Sequence, residues 1–171
     1  MPGTLHFCAD VHLGKLARLL RMLGFDTVYK NNFSKDELLK IARDDSRCVL
    51  SKSPYFLKFP DITFYQIKSS DSYQQLEEVI NHFHLQQPSF NPFSRCLYCN
   101  AILEKKEKTE VDICLLPQTK KHFTEFWQCP ACKKIYWKGS QYERMMKEID
   151  PLDIRLFEQL LYLSNLQLIF P

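Results

Sequence analysis

Glycine is scarce in this chain, four residues in 171, and no internal repeat or biased tract accompanies them. Collagen-like, low-complexity and disordered architectures are thereby excluded. An excess of one charge is also missing. With 23 Lys and Arg against 20 Asp and Glu the net charge is +3, too little for a histone-like or tail-like binder, so any nucleic-acid contact has to come from a local patch. Long apolar runs are absent as well. No stretch reaches the ~18 uncharged apolar residues of a membrane span, and the opening MPGTLHFCAD has no basic segment followed by an apolar one. Neither membrane association nor a secretory signal is expected. What remains is a chain that is 45% hydrophobic and 13% aromatic, the profile of a compact soluble protein, and its length allows one domain, or one domain with a small appendage. The cytoplasm is the expected compartment, and in its reducing conditions the seven cysteines point to metal before disulfides.

The charge is unevenly spread: residues 1–94 sum to +1, residues 95–147 to +5 and residues 148–171 to −3. Hydrophobic periodicity divides the chain in a similar way. Leu5 to Ala9 reads as a strand, followed by a helix over His12 to Leu23. In that helix Leu13, Leu16, Ala17, Leu20 and Leu23 share one face, Lys15, Arg18 and Arg21 the other, and Gly24 is the stop. Thr27 to Tyr29 is a second strand. Ser34 with Glu37 has the capping-box pattern for a helix to about Asp44. Strands follow at Cys48–Leu50 and Ile62–Ile67, and Asp71-Ser72 caps a helix to about Phe83 with Leu76, Val79, Ile80 and Phe83 as its stripe. Alternation with short connections predicts an α/β fold, a mostly parallel sheet with helices on both faces, over residues 1–87. Pro88 and Pro92 mark a linker opening a second unit over residues 88–147. Residues 148–171 form an apolar tail, expected to be an amphipathic helix that docks on the body, on a second copy or on a protein partner.

Cys96-Leu97-Tyr98-Cys99 and Cys129-Pro130-Ala131-Cys132 are two C-x-x-C knuckles with 29 residues between them. Each sets two thiolates on one tight turn, and together they supply the tetrahedral sulfur shell that zinc prefers. The spacing predicts a zinc ribbon whose insertion, Lys105 to Lys121, forms a hairpin or loop. A redox pair would instead lie beside the first strand of an α/β unit. Cys8, Cys48 and Cys114 need only be small, chemically idle thiols. Lysines 105, 106, 108, 120, 121, 133, 134 and 138 give the ribbon a basic surface that either touches nucleic acid or is merely solvated.

In open α/β sheets ligands bind beyond the carboxyl ends of the strands. The polar residues at those positions are Asp10, Asp36, Ser51, Ser53 and Asp71. Carboxylates gathered at one point repel one another unless a cation sits among them, which suggests Mg²⁺ or Mn²⁺ held by Asp10, Asp36 and Asp71. Such an ion activates water and stabilises the charge that develops on a phosphodiester, while Lys15, Arg18 and Arg21 steer the phosphates. The plainer alternative makes Asp36 and Asp71 helix-start residues and Asp10 a strand end.

With these residues in place the chain resembles the Mut-seven C-terminal RNase domain family, a PIN-like nuclease fold followed by a zinc ribbon. The matching stretches are Asp10 to Arg21, Leu23-Gly24-Phe25-Asp26-Thr27, Asp36-Glu37-Leu38-Leu39 with Ile41-Ala42, Pro92 to Asn100, Phe126 to Cys132 and Ile135 to Ser140. The resemblance implies metal-dependent cleavage of RNA, with Asp10 and Asp36 as the first two acids. It also implies a third acid after the third strand, in a pattern like Leu-Thr-x-Asp, where this chain reads Leu50-Ser51-Lys52-Ser53. Asp71 replaces that acid, or water does at lower metal affinity, or the domain no longer cuts. The expected functions are therefore a ribonuclease using Mg²⁺ or Mn²⁺ with structural zinc or, alternatively, a catalytically degenerate RNA-binding adaptor. A protein-interaction module using Leu152 to Phe170 is a third reading.

Overall fold

The computed structural model describes residues 5–85, 91–92 and 94–139. The helix expected in the apolar tail of residues 148–171 lies outside them. The chain divides into two compact units, one of residues up to Glu104 together with Cys129–Lys134, the other of Lys105–Gln128 together with the residues from Ile135 on. Both knuckles thus belong to the first unit.

In the first unit the elements run β1 (Phe7–Ala9), α1 (Gly14–Met22), β2 (Thr27–Val28), α2 (Lys35–Asp44), β3 (Cys48–Ser51), β4 (Phe64–Gln66) and α3 (Ser72–His82). The strands form one sheet in the order β2-β1-β3-β4, and every pairing in it is parallel. From β1 the chain steps outward to β2, then crosses back over β1 to β3. Right-handed crossovers in opposite directions put successive helices on opposite faces, which agrees with the packing. Cys8 and Val49 point to α2, where Leu38, Leu39, Ala42 and Phe56 close a core cluster. Phe7 points the other way, edge-on to Phe25 and Phe83 at 6.0 and 5.5 Å, and α1 packs on α3.

The apolar stripe of α1 is fully internal: Leu13, Leu16, Ala17, Leu20 and Leu23 are all at most 1% exposed. Each such burial contributes on the order of 1.5–3 kcal/mol for the larger side chains. The helix ends at Gly24, whose φ of +96° allows its N–H to reach the Arg21 carbonyl while the Phe25 N–H reaches that of Leu20. This left-handed closure satisfies the terminal carbonyls. A Cβ at Gly24 would also lie 2.4 Å from the Asn91 carbonyl oxygen. For α2, Ser34 and Glu37 make the reciprocal capping box expected of them.

Arg21 departs from the expected pattern. It is buried, 4% exposed, instead of sharing an open basic face with Lys15 and Arg18, because backbone carbonyls offer its guanidinium enough acceptors to replace water. The insertion also differs from expectation. After β5 (Glu104–Lys106) come α4 (Lys108–Val111) and α5 (Pro117–His122), not a hairpin or loop, and then β6 (Phe126–Gln128) and β7 (Ile135–Tyr136). Glu107 with Glu110 forms a capping box and Pro117 opens α5, while Val111 and Leu115 bury themselves against Phe126. The three strands make a second sheet, β5-β6-β7, with β6 and β7 antiparallel.

Candidate functional site

Reversal of direction after β2 puts the switch point of the sheet between the carboxyl ends of the adjacent strands β1 and β3, the place where a doubly wound sheet takes its ligands in a crevice. Asp10 follows β1 and Ser51 closes β3. Asp10 is 7% exposed. One carboxylate oxygen accepts the His12 N–H at 2.9 Å, capping a 3-10 turn over Val11–Leu13, and the other accepts the Ser51 hydroxyl at 2.7 Å. Ser51 Oγ in turn accepts the Ser53 N–H at 3.0 Å. The carboxylate is therefore locked in one orientation, and with about four lone-pair positions on two oxygens it keeps acceptor capacity for a ligand. Tyr29 braces the same turn. Its hydroxyl donates to the Val11 carbonyl, and its ring lies so close to Gly14 that a Cβ there would sit 2.6 Å from the phenol oxygen.

The other expected acids are placed differently. Asp36 is exposed in the first turn of α2. Asp71 is exposed too, and its side chain accepts the N–H groups of Tyr73 and Gln74 as the cap of α3. Ser53, in the position of the missing acid, accepts the Tyr55 N–H and caps the 3-10 turn over Pro54–Lys58. Among the described residues no three acids come within coordinating range of one another; the metal-ligating side chains that do are those of Cys96, Cys99, Cys129 and Cys132. Lys15 and Arg18 are exposed along α1.

The four cysteine sulfurs all lie within 4.8 Å of one another, with Cys96 to Cys132 at 3.5 Å and Cys99 to Cys129 at 3.3 Å. Zn–S bonds of about 2.3 Å in a tetrahedron place sulfurs roughly 3.8 Å apart, so the set could hold a metal ion such as zinc. The two knuckles repeat one local design. Asn100 N–H donates to the Cys96 carbonyl as Lys133 N–H does to that of Cys129, both at 2.9 Å. Both of those residues carry positive φ, 72° and 62°. The remaining cysteines behave as expected for idle thiols at two positions: burial pushes Cys8 and Cys48 up to about 12. Cys114 is exposed.

The first knuckle is joined to α1 and β2 by polar contacts that sequence reasoning missed. Arg21 donates Nε to the Thr27 carbonyl and Nη1 to the carbonyls of Leu97 and Tyr98. Asn100 accepts the Thr27 N–H and donates to Asp26 at 2.7 Å, while Arg47 and Arg95 approach the same carboxylate at 2.6 and 3.2 Å. Burial alone would raise the Asp26 carboxyl, but hydrogen bonds from Arg47 and Asn100 and the charges of Arg47 and Arg95 outweigh it, leaving it below the ordinary carboxylate range. The only signal of this join in the sequence is a charged residue on each side of Gly24, Arg21 and Asp26, a pattern that also suits an open surface.

Several lysines of the insertion and the second knuckle are also engaged internally. Lys105, Lys106 and Lys120 pair with Glu125, Glu110 and Asp112. Lys134 lies over Tyr98 and Lys138 over Trp127. No helix of the described residues is long and apolar enough to cross a membrane.

Comparison with known proteins adds one finding. A family model described as the Mut7-C RNAse domain matches residues 5–149. No curated protein and no solved structure matches the chain.

Proposed function

The chain belongs to the Mut7-C RNAse domain family, and on that premise we propose a metal-dependent ribonuclease that hydrolyses RNA phosphodiesters at the carboxyl end of the parallel sheet. The observation that carries the reading is Asp10, buried at the β1/β3 crevice and held by Ser51 and the His12 N–H. Asp10 and Asp36 supply hard carboxylate oxygens of the kind that Mg²⁺ and Mn²⁺ bind. When bound, such an ion polarises a water and offsets the charge growing on the phosphate. Lys15 and Arg18, exposed on the helix that Asp10 introduces, attract and orient the phosphodiester. Arg21 takes no part in that, since its Nε and Nη1 serve the knuckle and β2. Ser53 weakens the cation site relative to an acid there, because a hydroxyl brings no negative charge. Zinc on the four cysteines is structural, a closed site that contributes folding energy.

The test is cleavage of end-labelled RNA with Mg²⁺ or Mn²⁺ by wild type, Asp10→Asn and Ser53→Asp. Slow cutting by wild type and at least ~100-fold less by Asp10→Asn are expected. The carboxamide of Asp10→Asn keeps an oxygen for the His12 N–H and offers its amide to Ser51, so the fold persists. Ser53→Asp restores a carboxylate without loss of the cap, because Asp caps as well as Ser, and should raise cleavage at low Mn²⁺ about tenfold. A folded Ser53→Asp variant that leaves every RNA uncut at high Mn²⁺ would sink the proposal.

A second reading has its own observation. Ser53 and Asp71 both spend their side chains on capping, so neither Ser53 nor Asp71 is drawn toward the crevice as a third ligand. On this reading the domain is a degenerate nuclease that binds RNA as an adaptor. It predicts salt-dependent RNA binding that Asp10→Asn leaves intact, with no cleavage by any variant.

A further inference from the structure

Next to the proposed crevice, but outside the residues assigned to it, three lysines stand over aromatic rings. Lys35 Nζ lies 4.4 Å and Lys58 Nζ 5.6 Å from the centre of the Tyr55 ring. Lys30 stands over Phe33 at 5.5 Å. The rings belong to one surface, since Phe33 and Tyr55 pack on the same core cluster of Cys8, Leu38, Val49 and Phe56. Tyr55 packs against Phe56 and Phe59, with ring centres 5.4 and 5.5 Å away. Lys35 opens α2 immediately before Asp36, and Lys58 closes the turn that Ser53 caps.

Two ammonium groups from different elements held on one ring repel each other. The ring's negative face relieves part of that repulsion, each such contact contributing about 0.5–1 kcal/mol at an exposed site, but an anion would relieve more. The neighbouring arginine shows the contrast: Arg43 stands over Phe59 and is neutralised by Asp61 at 2.6 Å. Lys35 and Lys58 form no ion pair among the described residues. Exposed Lys52, between Ser51 and Ser53, adds a third positive charge where the chain leaves β3.

We propose that the Lys35–Tyr55–Lys58 cluster is a binding subsite for the phosphodiester backbone of RNA, gripping the strand beside the crevice and delivering it past Asp36 toward Asp10. The proposal rests on the ribonuclease reading for its ligand and adds the surface that binds it. It places the grip on the α/β unit, not on the lysines of the ribbon. The ring holds the ammonium groups in place before RNA arrives, so less side-chain freedom is lost on binding.

The test is fluorescence anisotropy of a labelled single-stranded oligouridylate without divalent ions, over a salt series, for wild type, the double variant Lys35→Gln/Lys58→Gln and the control Lys40→Gln. Each phosphate of a single strand that is no longer neutralised lowers the salt slope by about 0.7, so the double variant should lose about 1.4 and bind roughly tenfold more weakly near physiological salt. All three substituted lysines are exposed, and thermal unfolding checks that the fold is retained. Lys40→Gln should bind like wild type. Unchanged affinity and slope in the double variant overturn the proposal, as does an equal loss in Lys40→Gln or a wild type that binds no RNA. Cleavage is read separately with Mn²⁺. A wild type that cuts while the double variant binds normally removes the subsite and leaves the ribonuclease reading standing. A wild type that binds through these lysines and never cuts does the reverse.

Discussion

Two groups of side chains in the same compact unit, the four thiols and the acids proposed to bind a cation, were assembled by opposite routes. The four thiols come from two knuckles, each a closed local turn with its own backbone hydrogen bonds and one left-handed residue. The acids at the end of the sheet come from separate elements, Asp10 behind β1 and Asp36 in α2, with Ser53 behind β3. Loss of one thiol would undo its set. At the sheet, a serine stands where family resemblance expects an acid, and the turn is undisturbed because Ser53 caps it as an aspartate would. A position with an ordinary structural duty of that kind can change residue type without any sign in the fold.

The sharpest way to break the comparison is to remove the metal-ready set. Cys96→Ser, or chelation of the wild type, is expected to lower stability by more than about 3 kcal/mol, given the free energy that structural zinc contributes. The loss should not stay local: Arg21 and Asn100 join the knuckle to Thr27, so β2 amides should exchange faster by hydrogen–deuterium exchange. Metal loss with unchanged protection at β2 would reduce the knuckles to an isolated clip.

A smaller effect is expected at the join itself. The Asp26 carboxyl lies below its ordinary range in the folded chain, so its contribution is present above the unfolded value near pH 4 and is lost as pH falls through the folded value. Thermal unfolding of wild type should therefore weaken below about pH 4. Asp26→Asn should flatten that dependence and cost roughly 2–4 kcal/mol at neutral pH, since it leaves part-buried Arg95 without its anion and Arg47 with the more exposed Asp45 alone. An identical pH profile in the variant would show that Asp26 is not the group responsible.

The smallest effect separates a cap from a ligand. Asp71→Ala should cost about 1 kcal/mol through the start of α3 and leave RNA cleavage unchanged. Loss of cleavage with little change in melting temperature would instead make Asp71 the substitute third acid, and the two sites would be more alike than their geometry suggests.

Most elements were legible because their signals are local. The stripe of α1, the capping box at Ser34, the stop at Gly24 and the C-x-x-C pairs each state their structure within a few residues, and each is found where it was expected. The helices in the insertion were not legible, since α4 and α5 are short, and Val111 of α4 and Leu115 between them are buried against Phe126, which follows them in the chain. Arg21 was misplaced for a related reason. Its spacing puts it opposite the apolar stripe, but the carbonyls that accept its hydrogen bonds include those of Leu97 and Tyr98, far along the chain.

From sequence alone came the parallel α/β unit, the four-thiol set, the family likeness and the gap at Ser53, all of which depend on residue type and short-range spacing. Only the tertiary structure decided that the knuckles share a unit with the sheet, that Asp10 is locked by Ser51, and that Lys35 and Lys58 meet on one ring. Those facts depend on which distant side chains share a neighbourhood, and packing and hydrogen-bond satisfaction settle that only once the chain has folded.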